Sequence, residues 1–399
     1  MSNVARDAVA YHPDVKVLRA NRQAIGEELE AAKGLALPGV RFEGRYGGIA
    51  DEEGREDYGE ASIKLRQPIY DGGKYRSETS RQRARVASAD RRVGDTVNTI
   101  ALNAVQAYLE VVRARRVAQR ASENRRMVSR IVDRVRRRVQ GGAGNQADLE
   151  QARARLFAAR NSVATAETQT LDALDLFRTA VGREPGALKQ RDLPVHALPK
   201  SLDAIIEKAR NASPKLLAIR HDADAAAAAV GTAKSVLLPQ VALELSANYR
   251  DETVKIAAAS KRENSLKAMV VVSMSLFNGG IDRARIREAQ FRAVEAEHQI
   301  GSANLSVERE LRLSWNAWKQ SGKHVQLLLD QSRTNARLVN LRLQQYDSGL
   351  ATLISILDAQ NEAFVTGVQA TNEFNAGRFA FFKLLAATGQ LAPTFGLDG

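Results

Sequence analysis

Gln67-Pro68-Ile69-Tyr70-Asp71-Gly72-Gly73 decides the fold, because its twin, Ser275-Leu276-Phe277-Asn278-Gly279-Gly280, stands 207 residues further on. Each stretch closes an alternating, strand-like run and opens a very long helical one. Glycine takes positive φ without strain, and an Asp or Asn just before it can cap free amides at a helix start. Gly72, Gly73, Gly279 and Gly280 are therefore read as strand–helix joints.

The spacing around the joints repeats too. Gly73, Tyr108, Gly142 and Ala152 return as Gly280, Trp315, Gly349 and Ala359, all at an offset of 207. Upstream, Pro13 and Pro38 return as Pro214 and Pro239 at an offset of 201. The difference falls where two strands and their connecting loop are read. The chain is thus two tandem repeats, 1–199 and 200–399, each ordered helix, two strands, long helix and a helix-hairpin return, with a connector closing the first.

The strands come from alternation of period two. Val40, Phe42, Gly44 and Tyr46 alternate with Arg41, Glu43 and Arg45; Ala61, Ile63 and Leu65 alternate with Ser62, Lys64 and Arg66. In the second repeat the apolar positions are Val241, Leu243, Leu245, Ala247 and Tyr249, then Val270, Val272, Met274 and Leu276. This places strands at about 40–49, 60–69, 240–250 and 267–277, each with one apolar and one polar face. About ten tilted residues suffice to cross a bilayer. The acidic stretch Asp51–Asp57 reads as the first hairpin turn, and Arg250–Ser265 as a longer loop.

The rest reads as helix: 3–35 with Pro13 near its start, 74–140, 146–181, 202–236, 281–347 and 352–388. A helix over 74–140 spans roughly 100 Å at about 1.5 Å per residue. Leu102, Val105, Leu109 and Val112, then Met127, Ile131 and Val135, form a coiled-coil seam with alanines beside it, so a partner helix can approach closely. Gly141-Gly142-Ala143-Gly144 lacks the following Gly-Lys-Ser/Thr of a phosphate cradle and reads as a helix-hairpin turn. Residues 182–200 form an irregular connector, and 394–399 a frayed tail.

Composition excludes several classes. No apolar run approaches the length of about 18 residues that a transmembrane helix needs. That does not exclude a β-barrel, whose alternating strands escape hydropathy scans. With no cysteine there is no disulfide, zinc–thiolate site or lipidation cysteine. The net charge of +13 is spread along helices among Glu and Asp, as on solvated faces, so no nucleic-acid partner is expected. Aromatics at 5% argue against a large conventional core. Met1-Ser2-Asn3 runs straight into Val4-Ala5-Arg6 with no visible signal peptide, which suggests a mature form or a truncated start. His12, His196, His221, His298 and His324 lack metal spacing, and there is neither HExxH nor GxSxG. The chain is read as a non-enzyme without catalytic residues, metal or cofactor.

Four strands cannot close a barrel, since about eight are needed even to fill one with side chains. An open sheet would expose its edges, so the sheet must pair with further copies of the chain.

The residues now resemble the TolC family of outer-membrane efflux ducts over essentially the whole chain. The carriers are Leu37-Pro38 and Leu238-Pro239, the two joints, and the paired turns Gly142…Asp148…Ala152 and Tyr346-Asp347-Ser348-Gly349…Leu357-Asp358-Ala359-Gln360. The resemblance implies a mainly α protein with a small β part, forming a homotrimer in the outer membrane of a Gram-negative cell. Each chain would give four strands to a 12-stranded barrel in contact with outer-membrane lipid, and its coiled-coil helices to a periplasmic tunnel. The tunnel would dock a periplasmic adaptor (membrane fusion) protein and an inner-membrane ABC or proton-driven pump. It also implies that Gly142 and Gly349 turn the chain at the periplasmic tips, that Tyr346 and Asp148 hold a closed gate by hydrogen bonding, and that Asp358 lines the constriction. Ser355 stands where the family places a second aspartate, and Ala351 where its best-known member has a gate-locking arginine, so a weaker latch and lower cation preference are expected. The favoured function is a passive export channel serving type I secretion of a protein substrate. Multidrug efflux is the alternative, and a soluble coiled-coil scaffold is the alternative of another class.

Overall fold

The computed structural model describes residues 1–51, 54–186, 193–254 and 259–397. In chain order these form α1 (Ser2–Tyr11), α2 (Pro13–Gly34), β1 (Gly39–Asp51), β2 (Gly54–Tyr70), α3 (Lys74–Gln140), α4 (Gln146–Val181) and α5 (Leu202–Ala212). Then follow α6 (Pro214–Lys234), β3 (Gln240–Val254), β4 (Ala259–Ser273), α7 (Ile281–Asp347), α8 (Leu353–Ala387) and α9 (Leu391–Phe395). The protein is mainly α with one small antiparallel sheet, built as two repeats. The long helices α3 and α7 have 67 residues each and keep the offset of the turn glycines.

The structure corrects several sequence expectations. The helices read across 3–35 and 202–236 both break, at His12 with ψ 128° and at Ser213 with ψ 119°. Each precedes a proline, whose ring crowds the preceding residue out of the helical region. The fourth strand ends at Ser273 rather than at 277, although the alternation continues. Ser273 pairs with Gln240, the first residue of β3, and the residue before it is Pro239, which has no N–H to extend the ladder. The strands have 13, 17, 15 and 15 residues, longer than the ten expected. Most of the stretches read as an acidic turn and a long loop lie within strands; residues 52–53 and 255–258 fall outside the described set. The tail is docked as far as Leu397: Phe395 and Leu397 are buried, as are Leu391 and Ala392 of α9, and the Ala392 amide donates to Asn98 Oδ1 at 3.0 Å, while residues 398–399 fall outside the described set.

Two compact units divide the chain. One comprises Leu18–Arg91 and Leu217–Ala303 and contains the sheet, in the order β1-β2-β3-β4. The register places Arg41, Glu43, Glu60, Lys64, Arg66, Glu244 and Arg250 on one face. There they pair: Lys64 with Glu43 at 2.8 Å, Arg250 with Glu60 at 3.3 Å and Arg66 with Glu244 at 3.6 Å. The opposite face carries Phe42, Tyr46, Ile63, Leu266, Val270 and Val272, all exposed in a single chain. Within the same unit, Ser88 Oγ donates to Asp222 Oδ1 at 2.6 Å.

The other unit comprises Met1–Val17, Arg92–Leu216 and Asn304–Gly399. Its part of α3 buries Val93, Val97, Ile100, Ala104, Val111, Ala114 and Ala121, spaced at threes, fours and sevens. Helix α4 is held by a narrower seam, Ala152, Ala159, Ala166 and Ala173, at strict intervals of seven. The few aromatics are concentrated here: Trp315, Trp318, Phe381, Phe382 and Phe395 form a chain of ring contacts 5.2–6.0 Å apart. Over its whole length α7 is far less covered than α3, with Phe291 in the sheet-bearing unit and Leu305 in this one each 73% exposed. Among the described residues, no helix is long and apolar enough to cross a membrane.

Asp95 carries a testable electrostatic penalty in this unit. Burial pushes its carboxyl above the ordinary range, with Lys215 opposing and Glu310 adding to the shift. A raised folded-state pKa means that the cost of ionisation grows as pH rises through the unfolded value and is constant above the folded one. Asp95→Asn should therefore melt higher than the wild type at about pH 7 and alike at about pH 3, where neither carries charge. Equal melting at both pH values, followed by calorimetry, removes the penalty.

Candidate functional site

The turns between α3 and α4 and between α7 and α8 close their helices in the same way. Gly142 at φ 74° and Gly349 at φ 77° take the left-handed conformation that ends a helix. The Gly142 amide donates to Val139 O and that of Ala143 to Arg138 O, both at 3.0 Å. In the twin turn the Gly349 amide donates to Tyr346 O at 3.0 Å and that of Leu350 to Gln345 O at 2.8 Å. These paired bonds satisfy the last carbonyls of each helix. The next helices open on side-chain caps: Asn145 accepts from the Ala147 amide, and Thr352 from the Ser355 amide.

Below the turns lies an apolar cluster of Ile131, Val135, Leu149, Val339, Tyr346, Leu353 and Ile356, with Ala351 packed at its edge. Tyr346 is buried in it. Its hydroxyl is raised above the ordinary tyrosine range, first by burial and then by Asp148, with Arg138 opposing and Asp347 adding. The hydroxyl thus stays protonated, but no hydrogen bond joins it to Asp148 within the chain. Asp148 lies in the first turn of α4, where a carboxylate suits the helix dipole. Ser355 turns back on its own helix, donating through Oγ to Thr352 O at 2.8 Å. Asp358 is exposed and faces Arg155 at 3.6 Å.

Sequence reasoning missed the residue that ties the two turns together. Arg138 Nε donates to Ala143 O at 2.9 Å, and Nη1 donates to Tyr346 O. Its guanidinium also lies over the Tyr346 ring, 4.7 Å from the centroid. Arg134 adds an ion pair to Asp347 at 3.2 Å. The available signal was broken symmetry: at the offset of 207, Arg138 corresponds to Gln345 and Arg155 to Glu362.

At the strand–helix joint, Asp71 accepts from the Gly73 amide at 3.0 Å and the Tyr75 amide at 2.5 Å. Asn278 does the same more loosely, accepting from the Asp282 amide at 3.3 Å. All four joint glycines have positive φ, from 68° to 83°. Their surroundings differ: a Cβ on Gly72 would stand 2.6 Å from Ser235 O, whereas one on Gly279 would meet nothing within 4 Å.

The sequence pattern of the outer membrane efflux protein family matches residues 4–183 and 205–390. The chain belongs to this family. The two matched stretches leave out the region joining the two repeats. Among similar proteins, outer membrane protein TolC of Vibrio cholerae is 24% identical over 407 residues, covering 100% of this chain and 92% of the relative. Outer membrane efflux protein BepC of Brucella suis is 25% identical, covering 95% of this chain and 83% of the relative. A membrane protein from Pseudomonas aeruginosa has the same fold, with a TM-score of 0.86 at 16% identity, over 97% of this chain and 89% of that one. The TolC-type channel reading thus holds: this is an outer-membrane export channel protein of Gram-negative type, and the soluble scaffold alternative is set aside.

Proposed function

We propose that three copies form a passive export duct, with twelve strands closing one barrel in the outer membrane and the helices forming a tunnel in the periplasm. Unequal cover of equivalent parts supports this reading. Gly72 packs on Ser235 and Leu238, while its twin Gly279 is open. Subtracting the offset of 201 turns Ser235 and Leu238 into Gly34 and Leu37, so those residues of a neighbouring copy are the natural cover for Gly279. By the same logic the exposed face of α7 and the free edges β1 and β4 await a second chain. The test is the native mass in detergent. Three protomers that need detergent support the duct; a monomer in plain buffer overturns it.

In this reading the paired turns are the periplasmic gate, where an adaptor and an inner-membrane transporter dock. We favour an ABC transporter exporting a polypeptide. With Ser355 and Ala351 at the constriction, and Arg155 beside Asp358, little fixed charge remains there, which suits a cargo of both signs. The second reading, multidrug or other small-solute efflux, is favoured by the names of relatives such as cation efflux system protein CusC of Escherichia coli, 26% identical over 66% of this chain. Deleting the gene separates the two. Loss of exported proteins with unchanged drug tolerance supports secretion, and the reverse supports efflux.

Asp358→Asn should lower cation over anion permeability in planar bilayers, but by less than about threefold, because Arg155 already offsets an exposed charge. Unchanged selectivity takes Asp358 out of the constriction.

A further inference from the structure

A cavity of about 190 Å³ lies between α3, α7 and α8, away from both turns. Two arginines one helical turn apart, Arg116 and Arg120, form its basic side. Two other arginines of α3 are matched by acids one turn away, Arg113 by Glu110 and Arg136 by Asp133. Among the described residues, no carboxylate lies within ion-pair distance of Arg116 or Arg120. Arg120 donates only to a neutral group, Thr371 Oγ1, at 3.1 Å.

The fold makes room for this arrangement. Gly367 on α8 leaves the space that the Arg120 guanidinium fills: a Cβ there would stand 2.6 Å from Nη1. Burial, and then Arg116, holds the Arg120 guanidinium below its ordinary range, with Glu123 opposing. A half-buried cation beside a like charge is costly unless an anion joins it. The rest of the wall is largely apolar and includes Phe374 and Val325, with Thr371 and Asn375 also lining it.

We propose that this cavity binds a small organic anion, its carboxylate held by Arg116 and Arg120 and its apolar body set against Phe374 and Val325. The planar guanidinium fork matches a carboxylate in shape and charge. The size fits one aromatic ring, since a cavity of about 150 Å³ takes benzene in another protein. The proposal is independent of which transporter the channel serves, because binding is read directly on the assembled protein.

The test is isothermal titration of the full-length protein in detergent at low ionic strength, with benzoate, benzyl alcohol and sulfate as probes. The expected result is saturable benzoate binding, weakened about tenfold or more by Arg120→Gln and by Gly367→Ala, with both other probes about tenfold weaker than benzoate. Arg116 is exposed, so Arg116→Gln keeps the fold and carries the same test if the buried variants do not assemble. Absence of saturable benzoate heat, or benzoate binding unchanged in the arginine variants, overturns the proposal. Sulfate or benzyl alcohol binding as tightly as benzoate overturns it as well, since the carboxylate and the apolar body must both count.

Discussion

Gly72→Val should abolish assembly, leaving little or no detergent-stable oligomer. At φ 68° any non-glycine residue is strained, a β-branched one most of all. The cost of that conformation alone is about 1–2 kcal/mol. Contact adds more, because the new Cβ would stand 2.6 Å from Ser235 O and 2.9 Å from the Leu238 Cβ. Both neighbours are fixed at the entry to β3, and no side-chain rotation moves a Cβ. The clash must therefore displace the joint that aims β2 into α3, or the lead into β3, and with it the register between β2 and β3. Gly73→Ala is the control. Its φ of 83° is as demanding, yet a Cβ there meets nothing within 4 Å. It should cost only about 1 kcal/mol and still assemble. Native mass and thermal melting in detergent decide the matter. If Gly72→Val assembles and melts like Gly73→Ala, the close approach has no energetic weight.

If the paired turns gate the duct as proposed, Arg138→Ala should open the channel more than any change to the Tyr346 hydroxyl. The guanidinium holds the carbonyls of Ala143 and Tyr346 and covers the Tyr346 ring, so its removal cuts every link it makes between the turns. Hydrogen bonds from a charged donor contribute about 1.5–3 kcal/mol each, and a cation–π contact about 0.5–2. Even about 2 kcal/mol of lost hold shifts a closed–open equilibrium roughly thirtyfold. Tyr346→Phe keeps both the ring and the carbonyl that Arg138 uses, so it should change open probability little. Arg138→Lys keeps the charge but loses the two-pronged geometry, and should fall between them. Single-channel recording gives the order directly. A Tyr346→Phe channel that opens more than Arg138→Ala would shift the latch to the hydroxyl and Asp148.

Much of the fold was legible because its punctuation is chemical. Gly142, Gly349 and the two Gly-Gly joints sit where the backbone needs positive φ, and their spacing repeats, so the limits of the long helices could be placed closely. The alternation in β1 to β3 was equally plain, because one face must be apolar. Where reading failed, a non-local fact won. The end of β4 depends on where β3 starts, which its own alternation cannot reveal. The helix breaks at His12 and Ser213 are the exception, local and readable, since each stands directly before a proline. The docked tail depends on Asn98, nearly 300 residues earlier, and no local signal announces such a contact. At the paired turns the glycines and caps were readable. Arg138 had only its broken symmetry with Gln345 to mark it, and an arginine in the last turn of a helix is ordinarily explained by the helix dipole.

The two free edges of the sheet are different strands, β1 and β4. In the proposed ring, β4 of one chain joins β1 of the next, so every junction is the same unlike pair and every subunit is needed to close the circle. A variant crippled at one edge can still occupy a place through its sound edge, and it then spoils the ring it enters. In a cell making equal amounts of sound and damaged chains, only about one in eight trimers is free of damage by random mixing. A lesion at either edge strand would therefore be inherited as a dominant defect, one that added wild-type chain dilutes without removing.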